Sequence, residues 1–229
     1  MKKIIITMLA MLFATSSYAI EKPQFSAGLS LAAGAFKAED ASEKFTGSHS
    51  SGAGSTVTKN TSSEAEDAEA LYGIGSIFLE AKFNDKFVLG VDYVPHSLDT
   101  ETTENTQTTT TSSATGTNKV QIDFEDYTTV YAAIYLNENV YAKAGYVQVD
   151  AITNEVLATG GSYGNETFDG YTLGLGYNRD LDNGAFIRFE GNYTDFDGVT
   201  ATNTADTTKS ITVDGINGYG AKISVGKNF

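Results

Sequence analysis

Residues with the means to do chemistry are few in this chain. It holds two histidines, His49 and His96, and no cysteine. His96-Ser97-Leu98-Asp99 brings an imidazole, a hydroxyl and a carboxylate together, the components of a nucleophilic triad. Neighbouring residues on a strand point to opposite faces, so on a strand His96 could not act on Ser97. No catalytic residue is expected. Asp195-Phe196-Asp197 and Asp123-Phe124-Glu125-Asp126 offer oxygen ligands of the kind Ca²⁺ or Mg²⁺ takes. The same spacing is what a solvated rim produces, and no His/Cys cluster suggests zinc. Neither a metal nor a cofactor is expected. Gly73-x-Gly75 and Gly174-x-Gly176 are fragments of a nucleotide-loop pattern, but each lies within a strand-like run and opens no helix.

A second set of polar residues is more informative because of what surrounds it. Glu80, Lys82, Asp92, Lys143, Arg188, Glu190 and Lys222 each lie between apolar residues. In Ala185-Phe186-Ile187-Arg188-Phe189-Glu190-Gly191-Asn192-Tyr193, one face carries Ala185, Ile187, Phe189 and Tyr193. The other face carries Arg188, Glu190 and Asn192. Ile77–Phe83 and Phe87–Tyr93 alternate in the same way. Four basic and three acidic groups roughly balance, and in a narrow enclosure an unpaired charge would be expensive. The pattern predicts a hydrogen-bonded lumen charge network. Gly28, Gly90, Gly174, Gly176, Gly218 and Gly220 share that face and are expected to make room for the long charged side chains.

The elements that must position these residues read as strands, because apolar residues recur at every second position. Eight are expected, over residues 25–37, 70–83, 87–98, 119–136, 140–153, 167–180, 185–199 and 210–229. Asn84-Asp85-Lys86, Asn137-Glu138-Asn139 and Leu181-Asp182-Asn183-Gly184 have the chemistry of tight hairpins. Residues 38–69 and 99–118, rich in Ser, Thr, Gly and acids, read as long mobile loops, with shorter versions at 154–166 and 200–209. A bulge is expected around residues 126–136. Alternating long and short connections, with both termini on the short side, require an even strand number and fit an eight-stranded antiparallel transmembrane β-barrel. Tyr219 and Phe229 lie on one face of the last strand; at a tilt of about 40° they are roughly 25 Å apart along the axis, the height of an apolar band. The remaining aromatics sort into two tiers: Phe25, Phe83, Phe87, Tyr135, Tyr141, Tyr177 and Phe186 near the short turns, and Tyr72, Tyr93, Tyr127, Tyr146, Tyr171, Tyr193 and Phe196 toward the long loops. Both tiers are expected to be outward belts.

Residues 1–19 read as a signal peptide: Lys2-Lys3, an apolar run from Ile4 to Ala14, and Ser17-Tyr18-Ala19 as a small-x-small cleavage site. Cleavage after Ala19 leaves residues 20–229 as one barrel domain. With Lys2 and Lys3 gone, 13 basic residues face 29 acidic ones, a charge of about −16. Such a chain repels nucleic acid. No later segment reaches 18 consecutive apolar residues, so a membrane could be crossed only as a closed sheet.

The terminal run Gly220-Ala221-Lys222-Ile223-Ser224-Val225-Gly226-Lys227-Asn228-Phe229, with the eight-strand rhythm and the leader, resembles the OmpA/OmpX/opacity-type small outer-membrane barrels, the porin family in the broad sense. In that family an alternating last strand ending in Phe is similar to the signal read by the barrel-assembly machinery, and Ile223, Val225 and Phe229 match it; Lys227 departs from it. The resemblance implies an outer-membrane monomer in contact with lipid and lipopolysaccharide. Its implied role is structural or surface-exposed, with a side-chain-filled lumen, acidic Ser/Thr-rich loops and an unidentified surface partner. A narrow channel for ions or small solutes is the alternative. Some barrels of this architecture act on lipid A, but their deacylase pattern spaces His and Ser two apart, where His96 and Ser97 are adjacent. The alternative fold is a soluble lipocalin-like barrel, with Ile187, Phe189 and Ile223 packed in a dry centre.

Overall fold

A computed structural model describes residues 22–39, 42–45, 48–50, 56–58, 68–108, 115–158 and 160–229. Residues 1–19, the expected leader, lie outside that set, as does part of each long loop. Eight long strands form the wall: β1 Gln24–Glu39, β2 Ala68–Phe83, β3 Phe87–Tyr93, β4 Thr115–Tyr135, β5 Val140–Val156, β6 Glu166–Asp180, β7 Ala185–Thr202 and β8 Lys209–Asn228. Each pairs antiparallel with its sequence neighbours, and β8 returns to β1 from Ser26↔Asn228 to Glu39↔Gly215. The barrel is closed and antiparallel.

Register fixes its shape. Stepping across paired residues from Ser26 leads through Glu80, Gly90, Tyr131, Gly145, Thr172, Thr194 and Gly218 to Phe36, ten residues further along β1. For eight strands that stagger sets a tilt of about 40° and a bore just wide enough for side chains. The turns follow from their sequences. Asn84 and Asp85 both take positive φ, 50° and 54°, a left-handed conformation that Asn and Asp tolerate in a tight turn. Gly184, at φ 78°, completes the turn after Leu181.

Three boundaries differ from the sequence reading. β3 stops at Tyr93 rather than 98, just before Pro95, which has no N–H for a ladder. The short strand Leu98–Asp99 straddles the expected start of the 99–118 loop and Thr103–Thr108 lies within it, both bonded to an extended β4 that begins at Thr115. Ser42–Phe45, within the other long loop, pairs with β8. The expected bulge is present: β4 gains a residue against β5 between Gln148 and Asp150, and Asp126 takes φ 53°.

The outward face is apolar. Leu31 is 73% exposed, Phe189 53%, Ile223 52% and Tyr219 70%. The dry centre that a lipocalin-like fold would give Phe189 and Ile223 is therefore absent. The inner face holds two layers. Toward the short turns it is polar and charged; toward the long loops Val147, Val149, Ala151, Phe168 and Phe196 pack together with Phe36, Phe124 and Ile216.

Candidate functional site

The lumen is where the expected charges meet. On β2 and β7, Glu80 and Arg188 face each other across the bore: Arg188 Nη1 and Nη2 donate to the two carboxylate oxygens of Glu80 at 2.6 and 3.0 Å. This bidentate fork is the strong form of the pair. Tyr131 also donates to Glu80, at 2.7 Å, and Arg188 Nε donates to Asn178 at 3.2 Å. One step nearer the long loops, Lys143 on β5 pairs with Glu190, which also accepts from the Tyr141 hydroxyl at 2.6 Å. Lys222 on β8 reaches Asp92 on β3 at 2.9 Å. These six charges are buried or nearly so. They come from β2, β3, β5, β7 and β8, so a single wrong register would strand several unpaired charges at once.

Lys82 lies apart from this layer. It sits at the short-turn mouth, 4.7 Å from the Tyr135 ring centroid and 3.9 Å from the exposed Asp85. With Gln24, Asp180 and Asn228 it borders a shallow opening below Arg188. Thr194 donates to Thr172 at 3.1 Å between the charges and the apolar cap, while Ser30 and Ser224 bond to each other at the level of the charges, Ser224 lying opposite Arg188 in the register.

The glycines do a different job from the one expected. A Cβ on Gly28 would come within 2.4 Å of the Phe78 ring, and one on Gly90 within 2.4 Å of the Tyr131 ring. Both rings belong to the residue directly opposite on the next strand. Gly34–Tyr72, Gly176–Tyr141, Gly218–Phe36 and Gly226–Phe186 repeat the arrangement. Each ring reaches over a facing glycine, whereas Gly174 has Lys143 and Glu190 among its nearest side chains. Aromatic rings thus line the bore, and Arg188 sits between three of them, within 4.7 to 5.6 Å of Phe186, Tyr141 and Phe78. Cation–π contact adds to the ion pair.

This corrects the belts. Tyr135, Tyr141, Phe186, Tyr72, Tyr127 and Phe196 face inward; Phe186 is 2% exposed and Tyr141 2%. Phe25, Phe87, Tyr177, Tyr146, Tyr171 and Tyr219 are outward. Parity tells the two groups apart, since Tyr135 and Tyr141 share a face with Tyr131 and Lys143. The aromatic clustering near turns obscures it.

At the long-loop end of the outward face, tyrosines bond to carboxylates. Tyr93 donates to Asp126 at 2.8 Å, Tyr171 and Tyr193 to Asp195 at 3.1 and 2.7 Å, and Tyr146 to Asp169. Among the described residues no group of three or more His, Cys, Asp or Glu could hold a metal. Ser97 donates to Asp99 at 2.9 Å, which leaves His96 outside that contact. His49 is in the short Ser48–Ser50 strand. Ile223, Val225 and Phe229 are all more than half exposed on the outward face.

Neither a protein-family profile nor a curated protein sequence matches the chain. Among solved structures, the outer membrane protein OprG from Pseudomonas aeruginosa aligns with a TM-score of 0.55 at 13% identity, over 92% of this chain and 97% of OprG. Neisserial surface protein A aligns at 0.42 and 14% identity, over 90% and 97%. At these identities it is the fold that is shared: this chain has the architecture of the small eight-stranded outer-membrane barrels.

Proposed function

We propose that the chain is a monomeric outer-membrane barrel with a structural and surface role, its bore closed by its own side chains. The reading is carried by one observation: large apolar residues are exposed outward while three ion pairs and an apolar cap fill the interior. In water this would be the wrong way round. In a bilayer, the outward face meets acyl chains and the ladders of the wall satisfy most of its backbone groups. Export by the leader, with cleavage after Ala19, would deliver the chain to the outer membrane. Ile223, Val225 and Phe229 would be presented to the assembly machinery on the last strand. Lipid and lipopolysaccharide would be its neighbours, and the acidic long loops would face outward to an unidentified surface partner.

The layered interior disfavours steady conduction, because an ion would have to displace buried pairs and then cross a dry septum. Planar-bilayer recording of the refolded protein should show no resolvable steady openings. Regular unitary steps would establish the channel reading instead. Unboiled protein should also migrate differently from boiled protein on a gel; identical migration would remove the barrel reading altogether.

A further inference from the structure

The outward tyrosines at the long-loop end are not spread evenly around the wall. Tyr146 on β5, Tyr171 on β6, Tyr193 on β7 and Tyr219 on β8 follow one another across four neighbouring strands, with Tyr146 opposite Tyr171 and Tyr193 opposite Tyr219 in the register. The row stops at β1, where Ala35 lies opposite Tyr219. Within it, the Tyr193 and Tyr219 ring centroids are 5.1 Å apart and those of Tyr171 and Tyr193 6.3 Å, which is direct aromatic contact. The row is reachable from outside: Tyr219 is 70% exposed, Tyr171 48% and Tyr193 partly so.

Two further observations give this row a chemistry. Asp195 Oδ2 accepts from the Tyr193 hydroxyl at 2.7 Å and from the Tyr171 hydroxyl at 3.1 Å. A phenol that loses an electron becomes a strong acid, and a carboxylate already bonded to its hydroxyl can take the proton as the electron leaves. Competing groups are also missing. The three methionines are Met1, Met8 and Met11, all in the expected leader, and the chain has no cysteine and no tryptophan. Once the leader is removed, no thiol, thioether or indole remains to be oxidised ahead of tyrosine. The fold then sorts the tyrosines. Tyr135 and Tyr141 are nearly as close, at 5.6 Å, but they face the bore, and Tyr141 is 2% exposed. Tyr146 faces Tyr171, but its hydroxyl goes to Asp169 and that of Tyr171 to Asp195, so the two lean toward different carboxylates.

We propose that Tyr193 and Tyr219 form an oxidative cross-linking site, coupled to dityrosine by a one-electron oxidant of the peroxidase class, with Asp195 as the proton acceptor. Each phenol gives up one electron and its hydroxyl proton. The two radicals join through their ortho carbons, and each ortho hydrogen then moves to the oxygen of its own ring. The net loss is two hydrogens, which reduce one hydrogen peroxide to two waters. The new bond ties β7 to β8 and closes residues 194–218, with the connection at 203–208, into a covalent loop. Such a closure restricts the unfolded chain as a disulfide does, in a protein that has no cysteine to form one.

The proposal needs the register of β7 against β8 and not the membrane reading, so it is tested in detergent micelles. The refolded chain, at high dilution, is treated with a haem peroxidase and hydrogen peroxide, then unfolded and cut with trypsin. Cleavage after Arg188, Lys209 and Lys222 leaves residues 189–209 with Tyr193 as their sole tyrosine and residues 210–222 with Tyr219 as theirs. These two peptides are expected joined, lighter by two hydrogens and with dityrosine fluorescence, as the most abundant cross-linked product. Tyr219→Phe should abolish the joined pair and Tyr146→Phe should leave it unchanged. Asp195→Asn should slow its formation by about tenfold, short of the full worth of a positioned base because water can take the proton instead. Heat-modifiable migration verifies that each variant folds. Absence of the joined pair, a predominance of links through other tyrosines or between molecules, or an unchanged rate in Asp195→Asn overturns the proposal.

Discussion

Glu80 carries the largest single burden in the interior, since two Arg188 nitrogens and the Tyr131 hydroxyl all bond to it. Glu80→Gln leaves the Arg188 guanidinium buried without a counter-charge and should cost about 3–5 kcal/mol, read from urea unfolding in lipid vesicles. Replacing Glu80 and Arg188 together by Met should recover most of that loss. A double variant as unstable as the single would mean the pair itself, not the stranded charge, supplies the stability. Residue type and parity place these charges in the bore from the sequence. Their partners are not legible there, because pairing Glu80 with Arg188 depends on which strands face one another across the closed sheet.

Between elements, the repeated contact is a ring laid over the glycine opposite it. Gly90→Ala would drive a methyl into the Tyr131 ring and displace the hydroxyl that bonds Glu80; about 1–3 kcal/mol of destabilisation is expected. Gly191, outward on β7, has open space where a side chain would begin, with nothing within 4 Å. Gly191→Ala should therefore be neutral or stabilise by roughly 0.5–1 kcal/mol through the unfolded chain. The same unfolding assay compares them, and equal effects would refute the ring-over-glycine account. The glycines stand out in the sequence on the correct face, but their aromatic partners read as belts. Distance from a turn does not reveal which side of the wall a ring is on; only its parity within the strand does, and the bulge at Asp126 shifts that parity partway along β4.

At the scale of the whole molecule, polarity is inverted: apolar outside, charged and aromatic within. Ile223 lies four residues below Tyr219 on the outward face of β8 and is 52% exposed, near the middle of the apolar band. Ile223→Lys should cost about 2–4 kcal/mol in a bilayer, the depth-dependent value for a cation at the midplane. The same change in an aqueous barrel would cost almost nothing, so vesicle and detergent-free measurements discriminate. The apolar cap above the charge layer belongs to this scale too. β4 at 21 residues and β8 at 20 are longer than a bilayer requires, and the extra height encloses a small dry core of its own.

What the amino-acid order determined by itself was local: a period of two, tight Asn/Asp/Gly turns on one side, and long polar connections on the other. Those features follow from alternation and turn chemistry within a few residues, and they suffice for eight strands and a closed antiparallel wall. Tertiary structure alone decided the stagger of ten, the ion-pair partners and which glycine each inward ring covers. Each of these depends on residues far apart in the chain meeting in one register, and a shift of a single position would change them all while leaving the local pattern intact.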